Sequence, residues 1–223
     1  MVAVHHLNNS RSQRVLWLLE ELGLDYNVVR YQRDATTMLA PASLRKVHPL
    51  GKSPVVVDGE NTLAESGAIL EYLVDRYDTA RTFAPSPGTP EHLRYRYWLH
   101  YAEGSAMPPM LLSLVFSRIR QAPMPFFAKP IAHRIADKAM TGFVGPQVKL
   151  HLDYMESELG KSLWFAGEDF SAADIQMSFP VEAASVRAGF KDRPNLRGFL
   201  DRIHARPAYQ RTLEQGGPFD LMA

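Results

Sequence analysis

The sequence predicts a chain of two structural classes, α/β over residues 1–80 and all-α over residues 91–223, joined by a linker at 81–90. Three observations carry this. Apolar periodicity alternates between strand-like and helix-like as far as Tyr77, and Asp58-Gly59 stands between two β-type runs, a strong hairpin signal. Beyond them, Pro85, Pro87, Gly88 and Pro90 crowd a short stretch that neither strand nor helix accommodates.

Taken in order, residues 2–7 alternate around Val2 and Val4 and read as a strand. The polar run Asn8-Asn9-Ser10-Arg11-Ser12 leads into Val15, Leu18, Leu19 and Leu22 at helical spacing, with Gly23 as a stop. Tyr26 to Tyr31 forms the next strand, so the opening is a βαβ unit, whose strands are parallel and whose crossover is right-handed. Val55-Val56-Val57 and Thr62-Leu63-Ala64 flank the Asp58-Gly59 turn. Glu65-Ser66 then opens a helix carrying Ile69, Leu70, Leu73 and Tyr77 on one face, which completes a thioredoxin-like arrangement. After the linker, helices are expected over 91 to about 120, bent at Pro108-Pro109, then from about 128 with a break at Gly145-Pro146. Gln147–Leu159 and Arg197–His204 follow, the latter as the last clear helix before Pro207. Ser171 and Asp174 form a capping box, with Phe170 and Ile175 placed to staple across it.

Composition narrows the chemistry. Twenty-five basic against 24 acidic side chains leave a formal charge of +1, so nothing favours a nucleic acid or an anionic membrane surface as partner. The charge-free stretch 104–117 is too short to span a bilayer, and the N-terminus has no signal-peptide character, so the reading is a cytoplasmic protein. Without any cysteine the chain offers no disulfide and no thiolate of its own, so sulfur chemistry would have to use a ligand's thiol. The 8 histidines show no metal-ligand spacing, and no metal is expected.

The motif His48-Pro49-Leu50-Gly51-Lys52-Ser53-Pro54, with Val55-Val56-Val57 and then Glu65-Ser66 before an apolar helix, resembles the glutathione-binding half of the glutathione transferase family. Trp164-Phe165-Ala166-Gly167 through Ile175 and Arg206-Pro207-Ala208-Tyr209 resemble its C-terminal segments, so the likeness runs over essentially the whole chain. His48 stands where the family usually has Asn, and Ser53 where Val is usual. The resemblance implies glutathione as cosubstrate, a cis bond at Ser53-Pro54, Glu65 on the γ-glutamyl amino group, Ser66 on its carboxylate and the Ser53 backbone on the cysteinyl part. Lys52, Pro54 and Arg11 belong to the same expected binding surface. Standing alone, a Glu-Ser pair before an amphipathic helix is only a cap.

The chemical task under that resemblance is to hold a thiol, of pKa about 8.5, as thiolate near neutrality; a shift of about two units takes about 2.7 kcal/mol. A hydroxyl hydrogen bond to a charged group supplies roughly 1.5 to 3 kcal/mol, and a helix N-terminus about 0.3 to 1. Ser10 and Ser12 are the hydroxyl candidates and Asn9 an amide donor. Counted back from Arg14, one family spacing lands on Ser10 and another on Asn9, and Ser10 could equally cap the helix. The run from Asn8 to Leu22 looks most like the bacterial and fungal-type branch.

The expected activity is conjugation of glutathione to a small hydrophobic electrophile lying near Tyr101, Met107, Met110, Leu111 and Phe116. The alternatives are a glutathione-dependent disulfide reductase or peroxidase, which Asn9 would favour, and a non-catalytic binding or regulatory protein. The resemblance also implies a homodimer, with Arg76, Tyr95 and Trp98 as candidates near its contact.

Overall fold

The computed structural model describes residues 1–219 and 221. Its first part is a four-stranded sheet in the order β2-β1-β3-β4, built from β1 (Val2–Leu7), β2 (Tyr26–Tyr31), β3 (Val55–Asp58) and β4 (Asn61–Ala64). β1 runs parallel to β2 and antiparallel to β3, as a βαβ unit followed by a hairpin requires. The hairpin closes one residue later than the Asp-Gly pair suggests: Asp58 pairs with Asn61, so Gly59, at φ 60, and Glu60 make the turn. That is the two-residue turn whose positive φ glycine supplies without a Cβ clash.

Helix α1 (Ser12–Leu22) joins β1 to β2, ends on Gly23 at φ 64, and α2 (Ser66–Tyr77) follows β4. Every residue from Val15 to Leu19 is fully buried, so α1 is not a one-faced helix. It lies between β1, α2 and two helices of the second half, α7 (Ala172–Ala188) and α9 (Pro207–Gly216), which cover the sides that an isolated α/β unit would leave wet. Trp17 shows why: its ring meets Tyr209 edge-on at 5.1 Å and Phe170 at 5.6 Å, both from the second half.

The second half is helical throughout its regular elements: α3 (Pro90–Tyr101), α4 (Met107–Gln121), α5 (Lys129–Ala139), α6 (Gly145–Leu159), α7, α8 (Pro194–His204) and α9. The expected helix over 91 to about 120 runs unbroken as α3, a π-helical turn at Ala102–Ala106 and α4, and Pro108-Pro109 follow directly on that wider turn. Gly145-Pro146 likewise does not break the chain of helices. Gly145 donates to the Met140 carbonyl across the π turn Met140–Val144, and a Cβ there would meet that oxygen at 2.7 Å, so the glycine is what allows α6 to continue. Pro207 is not a terminator either, since it begins α9.

The expected capping box forms at α7: the Asp174 carboxylate accepts from the Ser171 N–H at 2.9 Å and the Phe165 N–H at 2.8 Å. Burial pushes the Asp174 carboxyl up to about 6 despite those donors. Tyr95 and Trp98 are interior, Trp98 packing at 4.6 Å from Phe165, so neither offers a surface to a second copy; of the three contact candidates only Arg76 is exposed. Among the described residues no helix is long and apolar enough to cross a membrane.

Candidate functional site

The site assembles where β1 ends, the cis Ser53-Pro54 bond turns the chain into β3, and α1 and α2 begin. Its first half is a cluster of hydroxyls. Ser10 Oγ lies 2.8 Å from Ser12 Oγ, accepts from the Ser12 N–H at 3.3 Å, and stands 3.5 Å from Ser53 Oγ. Ser10 therefore does take a free N–H at the start of α1, and its own O–H donates to Ser53 Oγ across a long 3.5 Å contact. Ser53 is tied to β1, donating to the His5 carbonyl at 2.9 Å and accepting from the Leu7 N–H at 3.2 Å.

Ser12 turns the other way. It is fully buried, with its hydroxyl 2.9 Å from His6 Nδ1 and 3.4 Å from the Leu7 carbonyl, so it supports Ser10 from behind and has no surface for a ligand. His6 sits in the same interior, where burial holds its ring down to about 4, opposed by a hydrogen bond to the Gly216 backbone. The ring is neutral at pH 7. Asn9 holds φ 49, in the left-handed region that asparagine tolerates, and its carbonyl accepts from Arg33 at 3.3 Å.

The second half gathers at Ser66, the first residue of α2, behind Glu65 at φ 69. Ser66 Oγ accepts from Arg14 Nη2 at 2.8 Å, and the Gln176 amide lies 3.4 Å away. Its own O–H is left to donate, the orientation a carboxylate ligand needs. Arg14 is itself buried and donates to the Gln176 carbonyl at 2.7 Å and to Glu103 at 2.6 Å. That carbonyl is available because Pro180, four residues on in α7, has no N–H to fill it. Burial pushes the Arg14 guanidinium down to about 10, partly offset by Glu103.

Glu103 projects from the π turn between α3 and α4 and also takes Arg11 Nε at 2.8 Å. Burial opposes its charge, but Arg14 and Arg11 prevail and leave its carboxyl below the ordinary value. Ser66, Arg14, Glu103 and Arg11 thus form one continuous network that ends beside Ser10. Arg11 also lies 4.6 Å over the Phe179 ring of α7.

Of the residues singled out from the sequence, Ser10, Arg11, Ser53, Pro54 and Ser66 converge on this region, Glu65 and Lys52 are exposed at its edge, and Ser12 is behind it. Glu103, Gln176 and His6 were not foreseen. The one available signal was Arg14, a cation on the otherwise apolar stripe of α1, together with a proline four residues after Gln176 inside a helix. Tyr101, Met107 and Met110 are buried, whereas Leu111 is exposed and Phe116 half-buried. Among the described residues no group of three His, Cys, Asp or Glu side chains could hold a metal. A cleft of about 660 Å³ lies elsewhere, between the linker and the 166–171 loop, and none of the predicted site residues lines it.

Comparison with known proteins gives a consistent result. Residues 1–75 match the profile described as "Glutathione S-transferase, N-terminal domain", and residues 120–207 the "Glutathione S-transferase, C-terminal domain". The chain is 35% identical over 224 residues to glutathione S-transferase 1 of Saccharomyces cerevisiae, covering 96% of this chain and 95% of that one. It is 37% identical over 218 residues to glutathione S-transferase 3 of Schizosaccharomyces pombe, with 96% and 88% covered. A solved glutathione S-transferase from Actinobacillus pleuropneumoniae superposes with TM-score 0.82 at 34% identity, covering 100% of this chain and 96% of that one. A glutathione transferase homolog from Lodderomyces elongisporus, solved with two glutathione molecules per subunit, shares the fold at TM-score 0.74 and 22% identity, with 96% and 97% covered.

Proposed function

As this chain belongs to the glutathione S-transferase family, we propose that it binds glutathione along the network from Ser66 to Ser10 and conjugates its sulfur to a small hydrophobic electrophile. The observation that carries this reading is that network: at one end a hydroxyl whose acceptor side is filled by Arg14, at the other a hydroxyl held at the N-terminus of α1.

In this reading Ser66 donates to the γ-glutamyl carboxylate, Glu65 receives the γ-glutamyl ammonium, and the Ser53 backbone beside the cis peptide aligns the cysteinyl part. Arg11 and Lys52 supply positive charge around the tripeptide. Ser10 donates to the sulfur, with Asn9 as the alternative donor. The thiol proton leaves to solvent, the sulfur lone pair forms the new S–C bond, and the displaced group departs with its electron pair. Residues 1–80 carry this glutathione site, and the electrophile lies against the helices of 91–223. Leu93 and Tyr97 on α3 are exposed beside a shallow groove of about 500 Å³, which supports a homodimer contact along that helix.

The test is turnover with glutathione and a panel of electrophiles, hydroperoxides and mixed disulfides. Conjugation should dominate. Activity confined to disulfides would replace this reading with the reductase, and binding of glutathione without turnover of any partner would leave a non-catalytic protein.

A further inference from the structure

The formal charge of +1 hides a segregation. Residues 104–138 carry 5 basic side chains against 1 acidic, while the rest of the chain carries 20 against 23. The basic stretch is a helical hairpin, in which α4 and α5 pack on each other and residues 122–128 turn between them. Phe126 and Phe127 stand at that turn, 85% and 67% exposed, with their rings edge-on to each other at 5.7 Å. α5 extends the apolar surface. The Arg120 carbonyl accepts from His133 Nε2 at 3.0 Å and the Arg120 side chain pairs with Asp137, so positions 133 and 137 of α5 face α4. With about 3.6 residues per turn, Ile131 and Ile135 fall about half a turn round from those two. They face away from α4 and are exposed, and Arg134 and Lys138 lie beside them on the same side of the helix.

Lys129 opens α5 and Arg118 stands in the last turn of α4. Among the described residues Arg118, Lys129, Arg134 and Lys138 have no ion pair, because Asp137, the acid of this hairpin, is taken by Arg120. Contiguous exposed apolar groups rimmed by cations mark a contact surface rather than a solvated face. A second copy of this chain does not suit it, since a two-fold contact sets each cation against its own counterpart. The groove beside Leu93 and Tyr97 is also remote: α3, the π turn and α4 follow without a break, which puts Ile119 on the order of 30 Å from Tyr97. A nucleic acid would use the cations and leave the aliphatic side chains without a role.

We propose that the tip of this hairpin docks on an anionic lipid bilayer, with Phe126, Phe127, Ile131 and Ile135 entering the boundary of the acyl chains and Arg118, Lys129, Arg134 and Lys138 held at the headgroup phosphates. A basic amphipathic helix with aromatic rings at one end has the composition of an interfacial element. Lys and Arg stems lie along apolar surface while their charged heads reach out to phosphate. Each cation close to an anionic surface adds about fivefold to the partition. The contact is peripheral, since among the described residues no helix is long and apolar enough to cross a membrane. Docking of this kind does not depend on what the protein conjugates.

Flotation of the full chain with lipid vesicles tests this. Vesicles of phosphatidylcholine containing about a quarter phosphatidylglycerol should bind the wild-type protein at least about tenfold more tightly than pure phosphatidylcholine, and the difference should shrink as salt is raised. The double variant Phe126→Ser, Phe127→Ser should lose about tenfold in binding to the anionic vesicles at an unchanged melting temperature, because both rings already stand in water. Lys129→Glu, Arg134→Glu should remove the preference for the anionic lipid. No binding to either vesicle, or binding that the phenylalanine pair does not alter, would overturn the proposal. So would a phenylalanine variant that turns a dimer into a monomer in light scattering, which would give the face to a second copy. Binding to duplex DNA that exceeds binding to the anionic vesicles and ignores the phenylalanines would overturn it too, assigning the cations to a nucleic acid.

Discussion

The two ends of the candidate site are built in opposite ways. At the sulfur end, Ser10 is held by Ser12 two residues away and by Ser53 and β1, all within the sheet-containing half. At the Ser66 end, the hydroxyl is held by Arg14 of α1 and approached by Gln176 of α7, and Arg14 in turn grips α7 and the π turn before α4. The first end is local and should tolerate changes in the helical half. The second exists only while the two halves are docked.

The strongest way to break that contrast is Arg14→Met. It leaves the Gln176 carbonyl without its donor, takes the Arg14 hydrogen bond from Ser66 and leaves Glu103 to Arg11 alone, and losing one partner of a buried ionic arrangement costs about 3 to 5 kcal/mol. At about 2 to 4 °C per kcal/mol for a chain of this size, the melting temperature should fall well outside error. A variant melting with the wild type would mean that the halves do not rely on this arginine.

Next comes pH, which probes the sulfur end. The His6 ring is held down to about 4 from an ordinary 6.5, so the unfolded chain takes the proton first as pH falls. The folded state keeps its full stability above about 6.5 and loses roughly 3 kcal/mol on the way down through 4. Among the described residues Arg30 is the charged side chain acting on the ring, and it pushes the same way. Urea midpoints at neutral and mildly acid pH should differ less in His6→Asn than in the wild type; an identical acid loss in both would assign it to other groups.

Ser66→Ala should leave the fold intact and weaken glutathione binding by about 1 to 3 kcal/mol, the range for a lost hydrogen bond to a charged group. Unchanged affinity by calorimetry removes the γ-glutamyl assignment. The smallest effect on binding, and the sharpest on chemistry, belongs to Ser10→Ala. It should raise the thiol pKa of bound glutathione by about one to two units with affinity nearly constant, so the rate lost at neutral pH partly returns at higher pH. If Asn9→Ala gives that pattern instead, the amide is the donor; if neither does, the sulfur is held elsewhere.

The same contrast explains what could be read in advance. The βαβ unit, the hairpin, the α7 capping box and the Ser10 and Glu65-Ser66 signals are each written in a few neighbouring residues, and local chemistry suffices to find them. The π turns were missed because Pro108-Pro109 read as a bend and Gly145-Pro146 as a break, whereas the backbone widens just before each pair. α9 was missed because Pro207 read as a stop, although proline suits a first turn equally well. Arg14, Glu103 and Gln176 meet from separations of 89 and 162 residues, and no periodicity within one element encodes such a meeting.

Pro180 carries a consequence for how this chain can be recombined. By withholding one N–H it leaves a socket in α7 shaped for a guanidinium from the other end of the sequence. A chimera joining residues 1–80 of this chain to the helices of a relative would inherit the plug without the socket if that relative has an ordinary residue at the equivalent place, since its α7 would already have closed the bond. The halves are therefore not free modules. A shuffling library built from this chain should yield folded products chiefly where the arginine and the interrupted helix travel together.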